Sequence, residues 1–146
     1  MTDIHHRIGV ESPSTDGVYE ALTTIDGLAG WWTSDTRGDT KVGDTISFHF
    51  GEKARVDVKV LELKPNERVV WQVLDAHGDW IGTKIRFELK QKDALTHIVF
   101  KHEGWEQPTE FMHHCSTKWA TFLVSLKALL EKGAGAPYPN DMQIAA

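Results

Sequence analysis

His102 is the residue of this sequence whose type and position could do chemistry. It follows Ile98 and Phe100 in a period-two pattern, which places its imidazole on the apolar, inward face of a predicted strand. A buried imidazole must be hydrogen-bonded, so it could orient the polar group of a ligand or act as an acid or base. A structural histidine satisfied by backbone groups near the strand end explains the same position. We favour that interpretation, because perturbed groups are often purely structural.

Cys115 is the one cysteine of the chain, and it could serve as a nucleophile only beside a base. His114 is adjacent in sequence but points elsewhere on a helix, which leaves His102 as the only conceivable base. A buried free cysteine usually behaves as a small apolar side chain, and we predict that role. We therefore predict no catalytic residue. Because one cysteine cannot form an internal disulfide, we also expect a cytoplasmic protein.

Two histidine pairs, at residues 5–6 and 113–114, raise the question of a metal site. Two histidine ligands on one helix need a spacing of four residues, but the positions four after the second pair are Thr117 and Lys118. No Cys-x-x-Cys motif occurs. Gly27 and Gly30 lack the preceding strand and the lysine or third glycine of a phosphate-binding loop. We predict neither a metal nor a cofactor.

The elements that position these side chains follow from the hydrophobic period. Between residues 45 and 102, short polar turns separate five predicted strands: in four of them apolar and polar residues alternate with a period of two, and the third, residues 67–74, is apolar on both faces. Residues 4–10 alternate weakly and form a further strand. Two short helices lie between the first and second strands, one opened by residues 12–16 with Pro13 near its first turn, the other over residues 25–32. The pattern indicates an antiparallel sheet with one polar face.

The last element is a long amphipathic helix opened by Pro108 and Thr109 and ended by Gly133. It spans about 20 residues, or about 30 Å, which is long enough to cross the whole sheet. An apolar sheet face needs a cover, and this helix is the element that can provide it. We predict a single α+β domain over residues 1–146: a curved six-stranded antiparallel sheet wrapped around a long C-terminal helix, followed by an irregular tail.

A pocket is expected between sheet and helix, because a curved sheet and one helix cannot close everywhere. The sequence has six tryptophans, and a core rich in large aromatic side chains is hard to pack without leaving a cavity. Neighbouring helical residues point about 100° apart, so we expect one of Trp31 and Trp32 at the pocket. Asp75, His77 and Asp79 share a loop that forms either its rim or, as is commoner, a solvated surface. The predicted lining is Trp31, Trp32, Phe48, Trp71, Ile85, Phe87, Phe100, His102, Met112, Cys115 and Trp119.

The order of elements and three motifs resemble the START-like (Bet v 1-like, SRPBCC) superfamily. The motifs are LAGWW at residues 28–32, VFKHEGW at residues 99–105, and the stretch from Gly104 through Trp119 to LVSLKALLEKG at residues 123–133. Within it, they resemble the branch of activators of the heat-shock chaperone ATPase. The resemblance covers nearly the whole chain and implies the helix-grip fold. It leaves function open, because the superfamily contains lipid carriers, polyketide cyclases and stress proteins.

Charge and composition narrow the function. The net charge of −5 argues against nucleic-acid binding, and no apolar run is long enough to span a membrane. We rank binding of a small hydrophobic or amphipathic ligand first, since His102 is the one inward acid/base group. The alternatives are a cyclase- or dehydratase-like enzyme, and a chaperone-linked or homodimeric module using an exposed sheet edge. Chaperone activation in that branch belongs to larger proteins with an additional N-terminal domain, so we do not expect it here.

Overall fold

The order of helices and strands confirms the predicted architecture. The computed structural model describes residues 1–12, 14–52 and 54–145; the predicted helix-start proline Pro13 and the final residue Ala146 lie outside the described residues. The elements are β1 (Thr2–Glu11), α1 (Asp16–Thr23), α2 (Ile25–Trp31), β2 (Asp35–Gly38), β3 (Thr45–Phe50), β4 (Ala54–Lys64), β5 (Arg68–Asp75), a short 3-10 helix (Gly78–Trp80), β6 (Lys84–Lys92), β7 (Leu95–Trp105) and α3 (Glu110–Lys132).

The sheet has seven strands, so the prediction of six is one strand short. All neighbours are antiparallel, in the order β1-β7-β6-β5-β4-β3-β2. The additional strand is β2, which pairs with β3 so that Thr36 lies opposite Phe48. Its four residues Asp-Thr-Arg-Gly contain no apolar side chain, so they carry no hydrophobic period. Main-chain pairing at the sheet edge forms this strand, and composition gives no sign of it.

Helix α3 covers the inner face of the sheet, as predicted. At its start the Thr109 hydroxyl accepts a hydrogen bond from the Met112 amide, and at its end Gly133 adopts the left-handed conformation with φ 85°. Its buried face also carries Ser125, whose hydroxyl donates to the Trp31 carbonyl at 2.9 Å. The same hydroxyl accepts from the amide of Ala136 at 2.8 Å. One buried polar residue thus joins α3 to α2 and to the C-terminal tail.

The tail after Gly133 is irregular but attached to the domain at defined points. Tyr138 forms an isolated parallel bridge with Thr33, and its amide donates to the Trp32 carbonyl at 2.8 Å. A Cβ on Gly135 would lie 2.5 Å from the Gly30 carbonyl oxygen, so the tail backbone crosses α2 too closely for any other residue. The tail therefore runs back over the junction of α2 and β2, where it can form part of a site.

Candidate functional site

A pocket of about 670 Å³ opens between the first half of α3, the ends of β3, β4 and β5, and the C-terminal tail. Its volume lies within the range of about 300–1,000 Å³ that small-molecule sites occupy. The lining residues are Trp32, Phe50, Ala54, Arg55, Val56, Asp75, Ala76, His77, Trp80, Phe111, His114, Cys115, Lys118, Trp119, Phe122, Tyr138, Asp141 and Gln143.

Aromatic rings form the inner wall of this pocket. The ring centroid of Trp32 lies 4.9 Å from that of Trp119 and 5.6 Å from that of Phe50, and Trp80 stacks on Trp119 at 5.9 Å. On the tail, Tyr138 meets Phe50 edge-on at 5.5 Å. Trp32 and Trp119 are each only 2% exposed, so the half-buried rings of Phe50, Trp80 and Tyr138 offer a ligand most of the aromatic contact area.

Charged side chains form the outer rim. The guanidinium of Arg55 lies 2.9 Å from the carboxylate of Asp75 and 3.2 Å from that of Asp57. The ammonium of Lys118 pairs with the carboxylate of Asp141 in the tail. The pocket therefore combines apolar rings with two ion pairs, an exposed one at Arg55 and a largely buried one at Lys118, an arrangement that suits an amphipathic molecule.

His102 lies in the core with no exposed surface, and both of its ring nitrogens have partners. The Trp119 indole N–H donates to Nδ1 at 3.1 Å. Nε2 lies 2.8 Å from the Thr83 hydroxyl, which itself donates to the Trp80 carbonyl at 2.5 Å. These roles require the neutral ring with its proton on Nε2, and burial lowers the pKa of His102 to about 3. The partners are side chains, where the sequence interpretation expected backbone.

Cys115 lines the pocket, where its thiol holds its proton. Burial raises the pKa of its thiol to about 11. The thiol is therefore protonated at neutral pH and poorly nucleophilic. Because Thr83 and Trp119 occupy both nitrogens of His102, that ring cannot accept the thiol proton. In the part of the chain that the structure describes, no group of three His, Cys, Asp or Glu side chains could hold a metal ion.

The eleven predicted lining residues divide between the pocket and the core behind it. Trp32, Cys115 and Trp119 line the pocket. The other eight are buried away from it: Trp31, Phe48, Trp71, Ile85, Phe87, Phe100, His102 and Met112. Trp31 illustrates the reason, since its indole N–H donates to the Ala21 carbonyl at 3.0 Å and its ring stacks on Trp32. The centre of the sheet is filled by interlocking rings, and the space remains at one end.

Several lining residues were missed by the sequence analysis. On α3, Phe111, His114, Lys118 and Phe122 follow a helical spacing beside the core face, and that spacing was a usable signal. The tail residues Tyr138 and Asp141 belong to no periodic pattern. Asp75 and His77, which the sequence left between rim and solvated loop, both line the pocket.

Comparison with known proteins adds family information to this geometry. A family model described as activator of Hsp90 ATPase homolog 1-like protein matches residues 13–131. None of the curated proteins matches the chain. In the described residues, no helix has the length and apolar character needed to cross a membrane.

Solved structures reproduce the fold over most of the chain. The solution structure of the Aha1 dimer from Colwellia psychrerythraea is 46% identical, with a TM-score of 0.84, and the match covers 92% of this chain and 100% of that one. The protein SSP2350 from Staphylococcus saprophyticus is 20% identical over 92% of this chain and 95% of its own, with a TM-score of 0.76. CalU16 from Micromonospora echinospora is 19% identical over 92% and 77%, with a TM-score of 0.73. The last two show likeness of fold alone.

Proposed function

The chain belongs to the family of activator of Hsp90 ATPase homolog 1-like proteins, and from that premise we propose that it binds a small hydrophobic or amphipathic molecule in its pocket. The observation that carries this proposal is the pocket of about 670 Å³, with an aromatic inner wall and a charged mouth. Covering apolar ligand surface there would contribute about 25 cal/mol per Å² before the costs of association. A cytoplasmic location fits a chain with one cysteine.

Catalysis by a cyclase- or dehydratase-like mechanism has less support. Such a reaction needs an acid or base whose proton can be exchanged with the substrate. His102 is occupied by Trp119 and Thr83, and Cys115 holds its proton at neutral pH. His77 and His114 also line the pocket, beside Phe111, and they are the acid or base candidates that this alternative would need. We rank binding first because the pocket itself supports it, whereas nothing pairs these histidines with a reacting group.

The test is a titration of intrinsic tryptophan fluorescence with fatty acids, flavonoids and polyketide-like aromatics. Trp32, Trp80 and Trp119 line the pocket, so a bound aromatic ligand is expected to change their emission in a saturable way. Ala76→Phe fills the pocket from its rim without adding a tryptophan. We expect it to weaken binding by at least about tenfold, because the added ring takes the place of the ligand.

The matched control for this titration is Ala94→Phe, at an exposed residue in the turn between β6 and β7. Ala94 does not line the pocket, so the same substitution there should leave the affinity unchanged. Equal weakening in both variants, or no saturable response from the whole panel with folded protein, would contradict the proposed function.

We also propose that the chain forms a homodimer, on the ground that the 46% identical relative from Colwellia psychrerythraea is described as a dimer. The strands β1 and β2 are the two edges of the sheet, where further main-chain pairing is available. Light scattering during size-exclusion chromatography is expected to give twice the mass of one chain. A mass of one chain across a range of concentrations from micromolar to millimolar would contradict this proposal.

A further inference from the structure

A carboxylate of the protein's own tail occupies the polar side of the pocket. The side chain of Asp141 is only 4% exposed, although Asn140, Met142 and Gln143 around it are exposed. Charged side chains are almost never buried unless they are paired. The partner of this one is Lys118 on α3, so the irregular tail places a single buried anion inside the proposed binding site.

Lys118 is held by the tail through two acceptors. Its ammonium pairs with the Asp141 carboxylate and donates to the Met142 carbonyl at 2.6 Å, and it lies 5.2 Å from the ring centroid of Phe122. An ammonium carries three donors, and both of these acceptors belong to the tail. Without the tail, a partly buried cation would remain beside apolar rings, where an anion is strongly favoured.

The other cation of the rim is differently placed. Arg55 lies between the carboxylates of Asp57 and Asp75, both of which belong to strands of the sheet. Its charge is balanced by groups that cannot leave without disturbing that sheet. Lys118 is balanced instead by a segment outside all helices and strands, so it is the cation whose partner can be exchanged.

The attachment of the tail allows that exchange. Backbone hydrogen bonds fix the tail at Ala136, whose amide donates to the Ser125 hydroxyl, and at Tyr138, whose amide donates to the Trp32 carbonyl, each at 2.8 Å. The Tyr138 carbonyl also accepts from the Ser34 amide at 3.1 Å. All of these bonds precede Asp141 in the chain. The carboxylate can therefore leave Lys118 with the last few residues while the rest of the tail keeps its position over the junction of α2 and β2.

We propose that Asp141 marks the position of the ligand's own charged group. The ligand is an organic monoanion whose flat apolar body lies against the aromatic wall of the pocket, and whose carboxylate or sulfonate displaces Asp141 from Lys118. This inference rests on the proposed function and specifies its ligand class. Asp141 then competes with the ligand anion for Lys118, so it lowers the apparent affinity of the pocket for that anion.

Two probes with the same ring system test the inference. Anilinonaphthalene sulfonate carries one negative charge, and N-phenylnaphthylamine carries none; both gain fluorescence in apolar sites. Asp141→Asn is expected to raise the affinity for the sulfonate by about tenfold, because it removes a charged competitor. Lys118→Gln is expected to lower it by about tenfold. Neither substitution should change the affinity for the neutral probe by more than about twofold.

The double variant separates displacement from a general change of charge. If Asp141 acts by occupying Lys118, Asp141→Asn has no effect on sulfonate binding once Lys118→Gln is present. The matched controls are Asp35→Asn and Lys132→Gln, which change charge at exposed residues outside the pocket and should leave both affinities unchanged.

The outcomes distinguish the two proposals. A gain from Asp141→Asn that persists in the Lys118→Gln background, or that is equal for both probes, overturns the displacement inference and leaves ligand binding standing. Saturable binding of neither probe, together with no response in the tryptophan titration, overturns both. A gain confined to the sulfonate and abolished by Lys118→Gln supports the inference.

Discussion

Acidification from pH 6.5 to pH 3 is expected to destabilise this protein through His102, by about 5 kcal/mol in full. Burial lowers the pKa of His102 to about 3 in the folded protein, against 6.5 for an ordinary histidine. Between those pH values the unfolded chain binds a proton that the native protein does not. The contribution of His102 to the free energy of unfolding is therefore complete above pH 6.5. It falls by about 1.4 kcal/mol per pH unit as the pH decreases and is lost near pH 3.

The hydrogen bonds around His102 explain why it resists protonation. A proton on Nδ1 would turn that nitrogen from an acceptor into a donor, facing the indole N–H of Trp119 at 3.1 Å. Nε2 already uses its proton on the Thr83 hydroxyl. The charged ring would thus lose a hydrogen bond and gain a donor–donor contact in a fully buried site, in addition to the cost of burying its charge.

His102→Gln tests this expectation, since its amide can accept from Trp119 and donate to Thr83 but does not titrate. We expect the variant to be about 1–3 kcal/mol less stable at pH 7, because the smaller side chain packs less well. The difference should shrink as the pH falls and reverse by pH 4, because the unmodified protein has by then lost about 3.5 kcal/mol through His102 and the variant has not. Urea unfolding monitored by tryptophan fluorescence at pH 7, 6, 5 and 4 measures both profiles.

The control for His102→Gln is His113→Gln, at an exposed position of α3. Its pH profile should run parallel to that of the unmodified protein, because His113 is exposed and takes no part in the buried hydrogen bonds around His102. A His102→Gln profile that also runs parallel would show that His102 contributes nothing to acid sensitivity. In that case the neutral, doubly bonded ring would be an incorrect description of its native state.

The sheet and the helix could be predicted well from the sequence because apolar residues recur at a regular spacing in both. The alternation around Ile85, Phe87 and Phe100 defines strands with one buried face, and all three residues are buried as expected. Helix α3 follows from its apolar face and from its cap residues Thr109 and Gly133. The strand β2 escaped prediction because main-chain pairing alone defines it.

The position of the pocket could not be predicted in the same way. Alternation says which side chains point inward, but it does not say which inward rings meet and close the space between them. Trp71 points inward and stacks parallel on Trp32 at 6.2 Å, so it lies behind the wall of the pocket. The outer side of the pocket is made by Tyr138 and Asp141, whose placement depends on a few backbone hydrogen bonds and one ion pair.

Trp32→Ala is expected to destabilise the protein by about 3–5 kcal/mol, the range for removing a large buried aromatic side chain. Trp32 is 2% exposed and connects the core to the pocket. Its ring centroid lies 4.2 Å from that of Phe48, 4.9 Å from that of Trp119 and 6.2 Å from that of Trp71. Its removal leaves three aromatic neighbours without a packing partner on one side.

The cavity left by Trp32→Ala would join the existing pocket, and this gives the variant an independent signature. Water entering the enlarged pocket would reach Trp71 and Trp119, so the native-state emission should shift to longer wavelength. The unfolding midpoint should fall in the same variant. The main-chain carbonyl of Trp32 remains, so the bond from the Tyr138 amide and the attachment of the tail persist. Trp32→Phe keeps part of the ring contact and should cost about 1–2 kcal/mol, with a smaller shift.

Ile81→Ala is the matched control for these substitutions, because Ile81 is a large apolar residue that is mostly exposed. It should change the free energy of unfolding by less than about 0.5 kcal/mol and leave the emission unaltered. If Trp32→Ala lowers the free energy of unfolding no more than this control does, the Trp32 ring does not support the core. The neighbouring rings must then repack in its absence. A large loss of stability with no red shift would mean instead that the neighbouring rings close the cavity, in which case the pocket of the variant should be smaller and bind the neutral naphthylamine probe more weakly.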